Sequence, residues 1–344
     1  MLRPFCQRAQ VYTRGYSTLL QRVLTDFGAE SAFGQIPARV REHYGIELPA
    51  GRPRQVTLQH AHRAGGLAAA PPDAAAAALI AEMDGSMIPI VDNEPRLGVG
   101  MDAPSLPDRR RHKQLVWKEV RLAAAQAAGR VQARYAATLG SVLEAGLAWE
   151  QVVQRAGLTA DSRVHGVGDG AAWIAEQFAL RFGAQGRYLV DFYHVSDYLA
   201  CAAPRCGRAQ ADDWRRRQQQ ALRENRLDEV LAELAAHVET AEEVAAARIA
   251  HERTDESRTP VWDCQRYLRE RREQLDYAGA LAAGLPIGSG LIESGHRHVV
   301  QGRLKRSGAW WKEANARDMV GLRVLRANGD WETYWRAFPH HLNN

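Results

Sequence analysis

The chain has little cysteine and no long apolar run, and each shortage removes a class of protein. Four cysteines in 344 residues, Cys6, Cys201, Cys206 and Cys264, are too few and too scattered for a disulfide framework, which points to a reducing, cytoplasmic setting. Cys201 and Cys206 are close in sequence, but no second pair stands at ligand spacing, so no zinc site is expected. No apolar stretch approaches a membrane span. The most apolar candidate, Ala74 to Ile80, is mostly alanine. The N-terminus offers Arg3, Pro4 and Arg8 with no apolar block behind them, unlike a secretory signal. No membrane partner is expected.

Hydrophobic residues make up 46% and charged residues 25%, enough for a substantial core in two or three folded units. The 45 Lys and Arg against 40 Asp and Glu leave a net charge of +5. That excess is modest, but the positive charge is clustered, as RRRHK from Arg109 to Lys113 and as RRR from Arg215 to Arg217. Clustering of this kind suits a polyanionic partner, although each cluster taken singly also reads as a solvated face.

In chain order, residues 1–63 form a helical N-terminal module. Leu19, Leu20, Val23, Leu24 and Phe27 make one apolar stripe, and Phe33, Ile36 and Val40 a second. A helix-turn-helix reader of DNA, with its turn at Gly28 or Gly45, shares this pattern with small helical modules of other roles. Residues 64–79, rich in Ala, Gly and Pro, read as a linker. Ile80 to Val91 then reads as a buried strand carrying Asp84, and a buried carboxylate needs a partner to offset its desolvation. Alternating apolar residues predict two more strands, at Leu115–Ala125 and Val131–Gly140, which complete a meander. A helix over 141–158 follows. Next come a strand ending at Gly168-Asp169-Gly170, a helix to Phe182, and a strand at Tyr188–Phe192 that brings Asp191 and His194 to its end. Asp169 is placed where sheets with parallel strands hold their chemistry, or else is an N-cap. Asp191 and His194 read equally as a structural hydrogen-bonded pair.

The segment 207–280 is charged and helical throughout and reads as an insertion after residues 80–206, with 281–344 returning to the same domain. That last part opens on GLPIGSGLIESGHRHVVQGRLKRSGAWW, from Gly284 to Trp311. Glu293 falls in the first turn of a helix otherwise basic through Arg297, His298, Arg303, Lys305 and Arg306. A first-turn acid is also an ordinary companion of the helix dipole.

The order is three strands, helix, strand, helix, strand, helical insertion and helix, with acids on strand one, after strand four and on the last helix. This is the order of a ribonuclease H-like α/β mixed-sheet domain. Three carboxylates meeting at one sheet edge repel one another unless cations neutralise them, and Mg2+ suits oxygen ligands with positions left open for water and phosphate. Two such ions can serve the attacking and leaving oxygens of phosphodiester chemistry.

The residues also resemble a known family. EMDGS around Asp84, GDGAAWI around Asp169, DFYHV at Asp191–Val195, GSGLIES around Glu293, and the terminal RLKRSGAWW and NGDWETYW resemble, in the same order, the DDE transposases of bacterial insertion sequences. Within those enzymes the likeness is to the Mutator-like group and most closely the ISKra type. The resemblance covers most of the chain from about Ile80 onward. It implies a metal-dependent DNA strand-cleaving and strand-transferring enzyme with Asp84, Asp169 and Glu293 as catalytic and metal-binding triad. It further implies two Mg2+ ions, with Mn2+ as a substitute. Asp191 and His194 match the family's Asp-x-x-His motif in a supporting role, and Arg297, Arg303, Lys305 and Arg306 are the expected DNA contacts. The implied partners are the terminal inverted repeats, target DNA and further copies of the chain in a dimer or larger synaptic assembly, at the bacterial nucleoid. Such relatives commonly carry paired cysteines in a longer N-terminal part, where this chain has only Cys6 in RPFCQRAQ, a departure that fits a shortened or an internally started form and sets recognition of the DNA ends apart from the catalytic reading. Two alternatives stay open: a ribonuclease H-like nuclease without strand transfer, and a silent transposase-derived protein that acts by occupying DNA.

Overall fold

The computed structural model describes residues 16–67, 70–92, 114–250 and 259–338, so Cys6 and the RRRHK cluster lie outside the described residues. Among the described residues three α-helices come first, α1 (Thr18–Glu30), α2 (Ile36–Tyr44) and α3 (Arg52–Ala64). The sheet strands and the helices between them follow as β1 (Ala78–Asp92), β2 (Gln114–Ala127), β3 (Ala133–Thr138), α4 (Val142–Arg155), β4 (Arg163–Gly168), α5 (Ala172–Phe182) and β5 (Gly186–Val190). The five strands lie in the order β3-β2-β1-β4-β5. β1 pairs antiparallel with β2, and β2 with β3, whereas β1–β4 and β4–β5 are parallel. The chain is thus a mixed α/β protein with a five-stranded mixed sheet.

Local chemistry accounts for the elements. β4, RVHGVG, is buried along nearly its whole length, as a parallel strand covered on both faces must be. Ser141 caps α4 and Glu144 returns the bond to the Ser141 N–H, a reciprocal capping box. Side chains alternate across β1. Leu79, Ala81 and Met83 pack with Trp149 of α4 and Phe178 of α5, while Ile88 and Ile90 face the opposite layer with Val120 and Leu122 of β2. That second layer comes from the end of the chain.

Beyond β5 run α6 (Phe192–Gly207), α7 (Ala211–Arg223), α8 (Leu227–Ala235), α9 (Ala241–Ala250), α10 (Pro260–Glu270) and α11 (Tyr277–Ala282). Leu222, Val230, Leu234, Val261 and Leu268 from this stretch share one core with Val190 and Phe192, so the helical segment is seated against the β5 end of the sheet. The chain then returns as α12 (Gly290–Gly295), a π-helical stretch His296–Gln301, the single turn α13 (Gly302–Leu304), α14 (Glu313–Ala327) and α15 (Trp331–Ala337). Ile292, Val299, Leu304, Met319 and Leu322 cover the second sheet face. Helix α14 begins only at Glu313, after Trp310 and Trp311. Trp311 instead lies beside β1, where Val91 donates its N–H to the Trp311 carbonyl at 2.8 Å.

The first three helices are docked on these closing ones. Gly28 is inside α1 and makes no turn; a Cβ there would stand 2.0 Å from the Thr57 hydroxyl of α3, so glycine allows the two helices to cross closely. Arg303 donates from Nε to the Gly28 carbonyl at 2.9 Å, Arg323 from Nη1 to that of Ala29 at 3.1 Å, and Arg306 from Nη2 to that of Glu30 at 2.7 Å. Three guanidinium groups thereby satisfy the carbonyl end of α1, where orphan acceptors and the negative dipole pole favour cations.

Candidate functional site

Asp84, Asp169, Asp191, His194 and Glu293 all line one cleft of about 280 Å3 at the edge where β1 continues beyond the ends of β4 and β5. Asp197, Tyr193, Ser289 and Ile292 complete much of the wall. Among the described residues, the lining holds five carboxylates, one imidazole and no lysine or arginine.

Each acid arrives by a different route. Asp84 lies within β1, opposite Leu122 of β2, and is partly open to solvent. Its Oδ1 accepts the Gly85 N–H at 2.7 Å, and Oδ2 stands 3.3 Å from Nε2 of His296. Asp169 follows the last residue of β4, and its Oδ1 accepts the Ala171 N–H at 2.8 Å. Gly170 takes φ +77°, a left-handed turn that favours glycine, and its carbonyl accepts Nε of Arg271 at 2.8 Å. The Tyr267 hydroxyl donates to the Asp169 carbonyl at 2.5 Å. In this way α10 and the residue just after it grip the turn that presents Asp169. Glu293 is exposed in the first turn of α12.

The segment ahead of Glu293 is stitched to the strand ends. His165 of β4 donates from Nε2 to the Pro286 carbonyl at 2.8 Å, and the Phe192 N–H donates to that of Ile287 at 2.8 Å. Asp191, buried, accepts the Ser289 N–H at 2.8 Å and the Ser289 hydroxyl through Oδ2. These contacts place a helix close to strands far from it in sequence.

Asp191 and His194 do not form the side-chain pair that their spacing suggested. Asp191 is the N-cap of α6, and its Oδ1 accepts the N–H groups of Tyr193 and His194 at 2.6 and 3.2 Å. Both acceptor oxygens are therefore occupied by backbone and by Ser289. The His194 ring packs edge-on against Tyr198 and Tyr267 instead. β5 also ends at Val190, two residues before the expected boundary, because Asp191 terminates it by starting the helix.

The four expected DNA contacts divide. Arg297 is exposed, and so are Lys305 and Arg306, although Lys305 reaches Ser86 of β1 at 3.0 Å and Arg306 bonds the Gly302 and Glu30 carbonyls. Arg303 departs from the expectation. It is 2% exposed, packs on the rings of both Phe33 and Trp311 at 4.5 and 4.7 Å, and has its pKa pulled down to about 10, by burial first and then by Arg306 and Arg323. A guanidinium enclosed in this way holds helices together and does not reach a phosphate.

Two site neighbours escaped the sequence reading. Glu82 is 1% exposed on the same face of β1 as Asp84, and its Oε2 accepts the Ile292 N–H at 2.8 Å. Burial, with the nearby charges of Asp191 and Glu293, pushes its pKa up to about 8 against the lowering effect of the backbone bonds. His296 is buried beside Asp84, with neither ring nitrogen hydrogen-bonded. The i, i+2 spacing of Glu82 and Asp84 in a strand was the signal for the first. The second had none.

The carboxylate oxygens of Asp84, Asp169 and Glu293 are the donor type that hard divalent cations prefer, and among the described residues no lysine or arginine lines the cleft to neutralise them. The three line a common wall without closing on a point: among the described residues, no three His, Cys, Asp or Glu side chains are gathered closely enough to hold an ion as they stand.

The fold and its cleft define a mixed α/β protein with an acid-lined site at the sheet edge. The chain belongs to the uncharacterised protein family UPF0236, whose family model matches residues 125–337, a span that includes Asp169, Asp191, His194 and Glu293 and begins after Asp84. It is similar to the UPF0236 protein of the vanSb 3′ region of Streptococcus gallolyticus, with 28% identity over 173 residues. That match covers 49% of this chain and 35% of the relative, so the chain spans about a third of the relative's length. No helix among the described residues is long and apolar enough to cross a membrane.

Proposed function

We propose that the chain is a DDE transposase with a ribonuclease H-like catalytic domain, which binds the ends of an insertion sequence and cleaves and joins DNA strands. The observation that carries this reading is the meeting of Asp84, Asp169 and Glu293 in one cleft, from strand one, the end of strand four and a helix beyond a helical insertion. Those are the three positions at which the sequence motifs resemble the acids of that family. Asp84, Asp169 and Glu293 would hold divalent cations, Mg2+ foremost. Such ions, when bound, activate an attacking oxygen and stabilise a leaving one at phosphorus.

The chain's own residues have separable tasks in this reading. The three carboxylates would supply the negative charge and oxygen donors that hold the ions. Asp191 holds the segment that leads to Glu293 through Ser289, and Tyr267 with Arg271 holds the turn that presents Asp169. A cleft lined by five carboxylates repels DNA in the absence of cations, so in this reading binding comes from basic side chains outside it. Arg297, Lys305 and Arg306 are the candidates there.

The test is incubation of the protein with duplex DNA carrying the inverted repeats that flank its coding region, with Mg2+ and with Mn2+. Cleavage at the repeat ends, followed by joining to a second duplex, is the expected result. Cleavage without joining would replace the reading by a nuclease, and binding without cleavage by a DNA-occupying protein.

A further inference from the structure

Ile292 stands directly before Glu293, and its N–H is one of the first donors of α12, which no carbonyl of the same helix can accept. The usual remedy is a side-chain oxygen on the N-cap residue. Ser289 occupies that position but makes no cap bond, because its hydroxyl is turned to Asp191. The acceptor is instead Glu82 of β1, at 2.8 Å. Glu82 is level with Val167 in the β1–β4 ladder, one residue before the last of β4, and shares the face of β1 that carries Asp84. One strand thus presents Asp84 to the cleft and holds the turn that carries Glu293.

We propose that Glu82 is a positioning residue that sets Glu293 in the same cleft as Asp84 by anchoring the first turn of its helix. A serine cap would satisfy the same donor without burying a carboxyl, but it would tie the helix only to its own preceding loop. The bond from β1 ties it to the strand that also carries Asp84. Ile292 is itself buried against the sheet, so the anchor and the apolar contact act on adjacent atoms. A buried polar group in low dielectric makes such a bond both directional and costly to break.

The proposal rests on the functional reading above, and its test separates the two. Glu82→Gln keeps an acceptor oxygen at the same reach, whereas Glu82→Ala removes it. With the DNA ends and Mg2+, Glu82→Ala is expected to cleave roughly 10²-fold more slowly, the scale of an ångström-sized misplacement, with DNA affinity unchanged. In the same preparation the amides of residues 290–295 should exchange with solvent about tenfold faster, and Glu82→Gln should restore both readouts. If Glu82→Ala does not fold, Glu82→Asp, one methylene too short, takes its place in the comparison with the same expectation. Either readout moving without the other, or a glutamine variant as impaired as alanine, overturns the proposal. If the native chain cleaves no DNA, the functional reading fails, and the exchange measurement alone decides whether Glu82 holds the turn.

Discussion

Asp191 accepts the Ser289 N–H at 2.8 Å, and through that bond the residue that ends β5 also fixes the loop leading to Glu293. The same carboxylate caps α6 with its other oxygen. One side chain therefore joins a strand end, a helix start and the distant loop, and its removal should be felt in both folding and activity. Asp191→Ala leaves several donors in a buried setting unmatched, which predicts a loss of about 1–3 kcal/mol or more in denaturant unfolding together with slower DNA cleavage.

His194→Ala should behave differently. Its ring lines the cleft and touches Tyr198 and Tyr267, but it is not Asp191's hydrogen-bond partner. Cleavage is expected to fall while the melting temperature changes little. Both are to be measured on one preparation, and a rate loss that merely follows the loss of folded protein would take His194 out of the site.

Asp84→Asn, Asp169→Asn and Glu293→Gln each remove one negative charge at nearly constant shape. If these acids hold catalytic cations, each variant should lose several kcal/mol of transition-state stabilisation, roughly 10²–10⁴-fold in cleavage rate, with DNA binding retained. A variant that cleaves at a near-native rate in Mg2+ would exclude that residue from the triad.

Arg303 and the exposed cations should separate in a salt titration. Replacing Arg297, Lys305 and Arg306 together by alanine is expected to flatten the dependence of DNA affinity on salt, by up to about one unit of slope for each phosphate no longer neutralised. Arg303→Ala should leave that slope alone and lower the unfolding midpoint instead, because Arg303 is enclosed by Phe33, Trp311 and the Gly28 carbonyl. An equal effect of both changes on the slope would contradict the division.

His60 gives a pH dependence remote from the cleft. It is fully buried in α3, with Nδ1 2.7 Å from the Tyr334 hydroxyl and Nε2 3.0 Å from Oε1 of Gln21, and burial lowers its pKa from 6.5 to about 3. The folded chain keeps this imidazole neutral while the unfolded chain protonates it, so its contribution is intact above pH 6.5 and declines as the pH falls toward 3. The slope is at most one proton, ~1.4 kcal/mol per pH unit. Urea midpoints between pH 7 and pH 4 should show this slope in the native chain, and His60→Gln should lack its part of it.

Alternation for β2 and β3, buried-strand character for β1, strand-to-helix steps for β4 and β5, and an apolar side for α4 made these elements legible in the amino-acid sequence, because strand and helix faces are local patterns. The meander of β1, β2 and β3 and the two later strands stand where that pattern put them. The acids at Asp84, Asp169 and Glu293 were legible as candidates for the same reason: each interrupts a recognisable element or begins one. Boundaries were less sharp where a side chain ended the element, as Asp191 does after Val190.

Which side chains meet was decided only by tertiary structure. Arg303 looked in sequence like its neighbours Lys305 and Arg306, since all three are cations on one basic stretch. Helical rotation turned it inward onto Phe33 and Gly28, residues some 270 positions away. Asp191 and His194 have spacing suited to a pair, yet the start of α6 directs Asp191 to backbone donors and to Ser289. Glu82 went unnoticed because its importance depends on where β1, in register with β4, meets a helix that begins beyond the insertion. Local pattern determines which face of an element is apolar, since that needs only the period of the backbone. The partner of a buried polar group depends on the packing of distant elements, which no local period encodes.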